Sequence, residues 1–300
     1  MTTRTRIELG RRADLGADCA NCFGLCCVAL AFTKSADFPF DKPAGDPCTN
    51  LDEHDGCRIH PQLRERGFKG CTVFDCFGAG QKVSRQTFAG RSWRDDAATR
   101  EAMFSTFPLV RRLHELLWYL DEAITLVERE RERDGARAGA DAGTPDPTPW
   151  LAAFEHVRHL TNDTPDELAT LDVDAEYDAA RALLAQASEV ARASAPAPPR
   201  KERKGLALEP GSDLMGAALA GADLRGRTLR GSIAIAADLR GADLDRCDLL
   251  GVDLRDADLA GADLSGAIYL TQMQVNSARG DAATRLPEGF ARPTHWADGR

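Results

Sequence analysis

Long apolar runs are missing from this 300-residue chain. The longest near the N-terminus is Val28-Ala29-Leu30-Ala31-Phe32, far short of the roughly 20 apolar residues that a membrane helix takes. No membrane span is expected. The opening stretch MTTRTRIELGRR has no apolar segment of the kind a secretory signal carries, which predicts a cytoplasmic protein. Basic residues are in deficit, 38 Lys and Arg against 47 Asp and Glu, for a net charge of −9. A broad basic face for nucleic acid, which needs clustered cations against the phosphates, is therefore not expected. The motifs of common enzymes are absent too: no H-E-x-x-H, no dinucleotide fingerprint, no Walker pattern. Gly78-Ala79-Gly80 is a lone G-x-G and reads as a tight turn. What remains is a chain with 43% hydrophobic residues, enough to bury real cores.

Cysteine is the residue in surplus. Eight of the nine fall between Cys19 and Cys76, and the ninth is Cys247. In a reducing compartment such a cluster points to metal rather than to disulfides. Cys19-Ala-Asn-Cys22 is a two-residue knuckle whose spacing lets two thiolates face one ion, and Gly24 permits the backbone to turn around a metal. Cys26 and Cys27 are adjacent, so their side chains are expected to diverge, one binding and the other packing or serving a second site. With Cys48, Cys57, Cys71 and Cys76 they form the candidate ligand set. Thiolate-rich sites take zinc or iron–sulfur clusters, with copper a further candidate. His54 and His60 are weaker candidates, and His114, His156 and His159 fit core or surface roles on helices.

The stretch 19–76 resembles the CxxCxxCC family of zinc- or iron-chelating proteins. Cys19, Cys22, Cys26 and Cys27 match its first block, and Cys48, Cys57, Cys71 and Cys76 follow its later cysteines in order. This chain has three residues before the Cys26-Cys27 pair, where the family name implies two. The resemblance implies metal binding at these eight positions.

Beyond about residue 92 the pattern turns helical. Leu109, Leu113, Leu116, Leu120, Ile124 and Val127 recur every three or four residues and predict one apolar stripe on a long helix. The charge run ERERERD (128–134) ends it, and GARAGADAGTPDPTP (135–149) breaks the chain. Further helices are predicted from Trp150 to about Thr161 and over 175–191. SAPAPPRKERKG (194–205) reads as a stiff polar linker.

From residue 210 a five-residue period sets in: Leu214, Leu219, Leu224, Leu229, Ala234, Leu239, Leu244, Leu249, Leu254, Leu259, Leu264, Tyr269. Two residues ahead of each stands a mostly small side chain, as in Ala217, Ala222, Ala237, Ala242, Cys247 and Ala257, and Asp commonly immediately precedes the leucine. A period of five suits neither a helix nor a flat strand. This register resembles the pentapeptide repeat family over residues 212 to about 270. The resemblance implies a right-handed quadrilateral β-helix of about three coils, with the leucine and the small residue inward and Cys247 a packed thiol. Arg227 and Ala234 depart from the pattern and suggest an irregular first coil. Residues 270–296 are expected to cap the open end, with His295 and Trp296 packing there.

The expected fold class is thus multidomain: a metal-bound cysteine-rich domain (1–92), a helical segment (93–193), a linker (194–209), the β-helix (210–270) and a cap (271–300). The function expected is a cytoplasmic metal-binding protein coupled to a repeat rod that meets a protein or peptide partner. The alternatives are a metal-dependent redox or peptide-modifying enzyme, and a pure interaction scaffold with a structural zinc.

Overall fold

The computed structural model describes residues 10–137, 145–195 and 207–296. Most of the opening stretch, the middle of the Gly/Ala/Pro-rich break and most of the linker 194–205 lie outside the described residues. The chain divides into two compact units, 1–121 with 148–184 and 122–147 with 185–300.

In the first unit the cysteine-bearing stretch holds only short elements: α1 (Leu25–Val28), α2 (Lys69–Val73), α3 (Ala79–Gln81), and antiparallel bridges Phe32↔Lys42 and Leu51↔Cys57. The helical stripe becomes α4 (Ala97–Arg137), which continues through the charge run to Arg137. Leu113, Leu116, Leu120, Ile124 and Val127 are fully buried along it, while Leu109 is half-buried and Val110 takes the inward place. α5 (Thr148–Leu160), α6 (Pro165–Thr170) and α7 (Val173–Ala193) follow. The Trp150 indole N–H donates to the Leu183 carbonyl at 2.8 Å, and the Tyr177 hydroxyl to the Arg112 carbonyl at 2.9 Å. These bonds fasten α5 to α7 and α7 to α4 inside the first unit.

The second unit is built on the five-residue repeat. Parallel bridges join each position to the one 20 residues on, from Asp213↔Ile233 through Asp248↔Ile268. The chain therefore returns over itself once every four repeats. Leu224 N–H donates to the Asp243 carbonyl at 2.8 Å, and Asp243 N–H donates back to the Ala222 carbonyl at 2.9 Å. The repeat leucines and Ala234 are all buried in one cluster, with Cys247 completely buried among them, and Tyr269 is buried as well. The bridges run through the position of Ala234 without a break. Arg227 is half-buried where its neighbours carry small side chains.

One column of bridges, Thr228, Asp248 and Ile268, lies against helix. Asp248 is 1% exposed and accepts from Ser188 Oγ on α7 at 2.6 Å and from Arg230 at 2.7 Å. The Tyr269 N–H donates to Glu122 of α4 at 2.5 Å. After the repeats comes α8 (Gln272–Ser277), opened by a reciprocal cap between Thr271 and Gln274. Arg279 and Arg285 then pair with Asp258 and Asp263, steps one and two residues longer than those before. Trp296 is buried in the same apolar cluster as the leucines. Its indole and the His295 ring both donate to the Ala278 carbonyl at 3.0 Å, a packing arrangement.

Candidate metal centre

The eight candidate cysteines all lie in the first unit, and each is a free thiol. Among the described residues no three His, Cys, Asp or Glu side chains already converge as a ligand group. The sulfurs instead lie in two groups, linked where Cys57 acts on Cys19.

The first contains Cys26, Cys27, Cys48, Cys57 and Cys71. The adjacent pair does not diverge: Cys26 and Cys27 hold their Sγ atoms 4.0 Å apart. That is close to the roughly 3.8 Å edge of a tetrahedron of sulfurs about 2.3 Å from zinc. Cys27 also bonds the Cys57 thiol. Its loop is joined to the next, because Cys48 N–H donates to the Cys27 carbonyl at 2.9 Å. The loop bearing Cys57 is set by Asp52, whose Oδ1 accepts from Gly56 N–H at 2.7 Å and His54 N–H at 2.8 Å. Crowding raises the Cys27 and Cys57 thiols well above the ordinary range, chiefly through the hydrogen bonds to Cys26 and to Cys27 respectively. Burial pushes Cys71 up to about 11, with Cys48 and Cys57 adding to it.

A lysine sits beside this group. Lys42 is 4% exposed, and its Nζ donates to the carbonyls of Val28 (3.2 Å), Pro43 (3.0 Å) and Asp46 (2.7 Å). Burial lowers its pKa, while Cys48, Cys27 and Asp46 act the other way. The side chain thereby ties the segment after Cys27 to the segment before Cys48. No sequence signal marks this lysine; its role follows from the fold of two loops.

The second neighbourhood contains Cys19, Cys22 and Cys76. Cys22 and Cys76 flank Gly80 at α3: a Cβ there would stand 2.7 Å from Cys22 Sγ and 3.8 Å from Cys76 Sγ. Gly78 has φ +80°, and a Cβ would strike the Asp14 carbonyl at 2.1 Å. The lone G-x-G is thus a tight turn under the thiols. Backbone N–H groups point at the sulfurs, Leu25 at Cys22 (3.5 Å) and Gly80 and Gly78 at Cys76. Such donors favour the thiolate. Burial outweighs them, raising Cys22 and taking Cys76 to about 12; Cys19 is raised by burial and then by Asp18, Asp75 and Cys57. Thiols held protonated in this way ionise readily only beside a cation, and a bound metal supplies one.

His54 and His60 are exposed, His54 with 85% of its side chain accessible next to Glu53. His114 is fully buried and donates from Nδ1 to the Phe77 carbonyl at 2.7 Å, one residue past Cys76.

Residues 212–249 and 235–268 match the pentapeptide repeats family, in eight copies. Over 285 residues the chain is 53% identical to the uncharacterized protein YybG of Bacillus subtilis (strain 168), a match that covers 94% of this chain and 95% of that one. The chain belongs to the YybG family. A match of that extent takes in the cysteine-bearing stretch as well as the repeats, so the two parts occur together in the family. Among the described residues no helix is long and apolar enough to cross a membrane.

Proposed function

We propose that this YybG-family chain is a cytoplasmic metal-binding protein, with zinc or iron held by the thiolates of Cys19, Cys22, Cys26, Cys27, Cys48, Cys57, Cys71 and Cys76, and with a repeat coil that receives a protein or peptide partner. The observation that carries this reading is the gathering of all eight cysteines in one unit, served by backbone N–H donors and a buried lysine. Soft thiolates select zinc and iron–sulfur centres over magnesium or calcium. We read the repeat coil as the quadrilateral β-helix of pentapeptide proteins. Its 20-residue register and its inward leucines support that reading, and stacked repeats offer an extended surface suited to a polypeptide.

A second reading, a metal-dependent redox or peptide-modifying enzyme, is favoured by the exposure of Cys19. Catalytic sites keep a position open for substrate.

The test is elemental analysis and a visible spectrum of the full chain purified without oxygen. Zinc in a colourless protein, or iron with a brown chromophore, is the expected result, and a thiolate-to-copper band would identify copper. Folded protein that carries no metal, and takes up none of zinc, iron or copper, would overturn the proposal.

A further inference from the structure

The turn that follows Cys76 grips the knuckle of Cys19 and Cys22. Gln81, at the end of α3, accepts the Asp18 N–H at 3.1 Å and donates from Nε2 to the Gly16 carbonyl at 2.7 Å. Arg85 donates from Nε to the Asn21 carbonyl at 3.2 Å, and its guanidinium lies 5.0 Å from the centre of the Phe23 ring. Between them Ser84, fully buried, accepts the Phe23 N–H at 3.0 Å. The Phe23 carbonyl in turn accepts from the Trp93 indole at 2.9 Å, so the residue after Cys22 is held at both its backbone polar groups. Ser84 stands in a π-helical turn, Lys82–Thr87, where the Phe88 N–H reaches back five residues to the Val83 carbonyl at 3.0 Å. Such turns are uncommon and are frequent at functional sites.

Ser84 also touches the sulfur, because its hydroxyl shares a hydrogen bond with the Cys22 side chain. A hydroxyl has one proton to give and two lone pairs to offer. The Phe23 N–H occupies a lone pair, which leaves the proton for Cys22 Sγ. A metal-bound thiolate carries no proton of its own, so in that state Ser84 is the donor and Cys22 the acceptor. We propose that Ser84 is a positioning residue for Cys22: through Phe23 it fixes where the sulfur stands, and through its hydroxyl it tunes the electron density that the sulfur offers a metal. This rests on the thiolate reading above and adds an outer partner to it.

The experiment uses the full chain loaded with Co(II), whose sulfur-to-metal charge-transfer band reports on thiolate ligands. A proton aimed at the sulfur lowers its lone pairs in energy, so the band should move to longer wavelength in Ser84→Ala. Competition with a chelator should show Co(II) held about 10- to 100-fold more weakly, as when other outer partners of metal ligands are removed. Ser84→Thr, which keeps a hydroxyl, should retain the wild-type band. Gln81→Leu breaks the ties to Gly16 and Asp18 without removing a contact to sulfur, and should weaken binding without moving the band.

The same band in wild type and Ser84→Ala would overturn the proposal and leave the thiolate reading standing, whatever the affinities. An equal band shift in Ser84→Ala and Gln81→Leu would reduce Ser84 to a packing contact and overturn it too. A shifted band in Ser84→Thr would do the same, and this arm needs no variant that lacks the hydroxyl. Wild type that takes up neither Co(II) nor zinc, iron or copper would overturn both the proposal and the thiolate reading.

Discussion

An aspartate one step ahead of a buried leucine has a defined task in the repeat coil. The carboxylates of Asp213, Asp223, Asp238, Asp243, Asp248, Asp253, Asp258 and Asp263 each accept the N–H two residues on, closing a turn at the corner of the repeat. Arg225, Arg240 and Arg255 double the contact as side-chain partners of Asp223, Asp238 and Asp253. These pairs stay in contact with solvent and contribute little beyond the turn itself. Asp248 differs because Ser188 and Arg230 converge on it out of water. Asp248→Ala should therefore cost about 2–3 kcal/mol, because buried Ser188 and the partly buried Arg230 lose the acceptor they share. Asp263→Ala should cost only about 1 kcal/mol. Leu244→Ala, which empties a fully enclosed site, should cost about 2–5 kcal/mol. Denaturant titrations of the three variants, compared with wild type, check the order. At the thiols, Gly80→Ala brings a methyl against Cys22 Sγ. The variant should lose metal from the Cys19, Cys22 and Cys76 group, measured as ions per chain, and keep its helical circular dichroism.

Among the elements, α4 was the most legible in the sequence, because an apolar residue every three or four positions admits few other solutions. Its length was not legible: the charge run continues the helix, since Glu and Arg are good helix formers and Arg133 pairs with Glu130 one turn away. α6 carried a readable signal in Thr164-Pro165-Asp166-Glu167, a capping box with proline at the first turn. The cysteine-bearing loops were legible as ligands and not as geometry. Lys42, Asp52 and Gly80 set those loops through contacts between segments distant in sequence, which no local period records. His114 on α4 has a pH consequence. Burial lowers its pKa to about 4 from an ordinary 6.5, so the folded chain keeps it neutral. The unfolded chain takes up the proton below pH 6.5, so the stability conferred is complete above that pH and lost as pH falls toward 4. The loss is on the order of 3 kcal/mol. Unfolding titrations at pH 7.5 and 4.5 should show it, and His114→Gln should flatten the difference.

At the scale of the whole molecule, the five-residue period disclosed the coil and concealed what covers it. Residues 122–137 and 185–193, helical in the structure, belong to the same compact unit as the repeats. Residues 205–300 expressed alone should expose Asp248 and Ile268 and come out aggregated or with a lowered melting temperature, whereas 122–300 should stay in solution. Size-exclusion chromatography of the two fragments decides. In the full chain, stripping metal should leave α4 and the coil folded and open residues 10–92 to protease, read by mass spectrometry of the cleavage products.

The 20-residue return also governs how such a chain can change its length. Five extra residues would preserve every leucine and every inward small side chain, yet would turn all later columns by a quarter. Asp248 would then leave Ser188, and an exposed aspartate column would come to face helix in its place. Twenty extra residues would restore every column and merely lengthen the stack by one storey. Gene duplication in such a chain is therefore quantised: fourfold blocks pass unnoticed, single repeats do not. The odd steps at Arg279 and Arg285 sit in the final turn, where no later coil has to stay in phase with them.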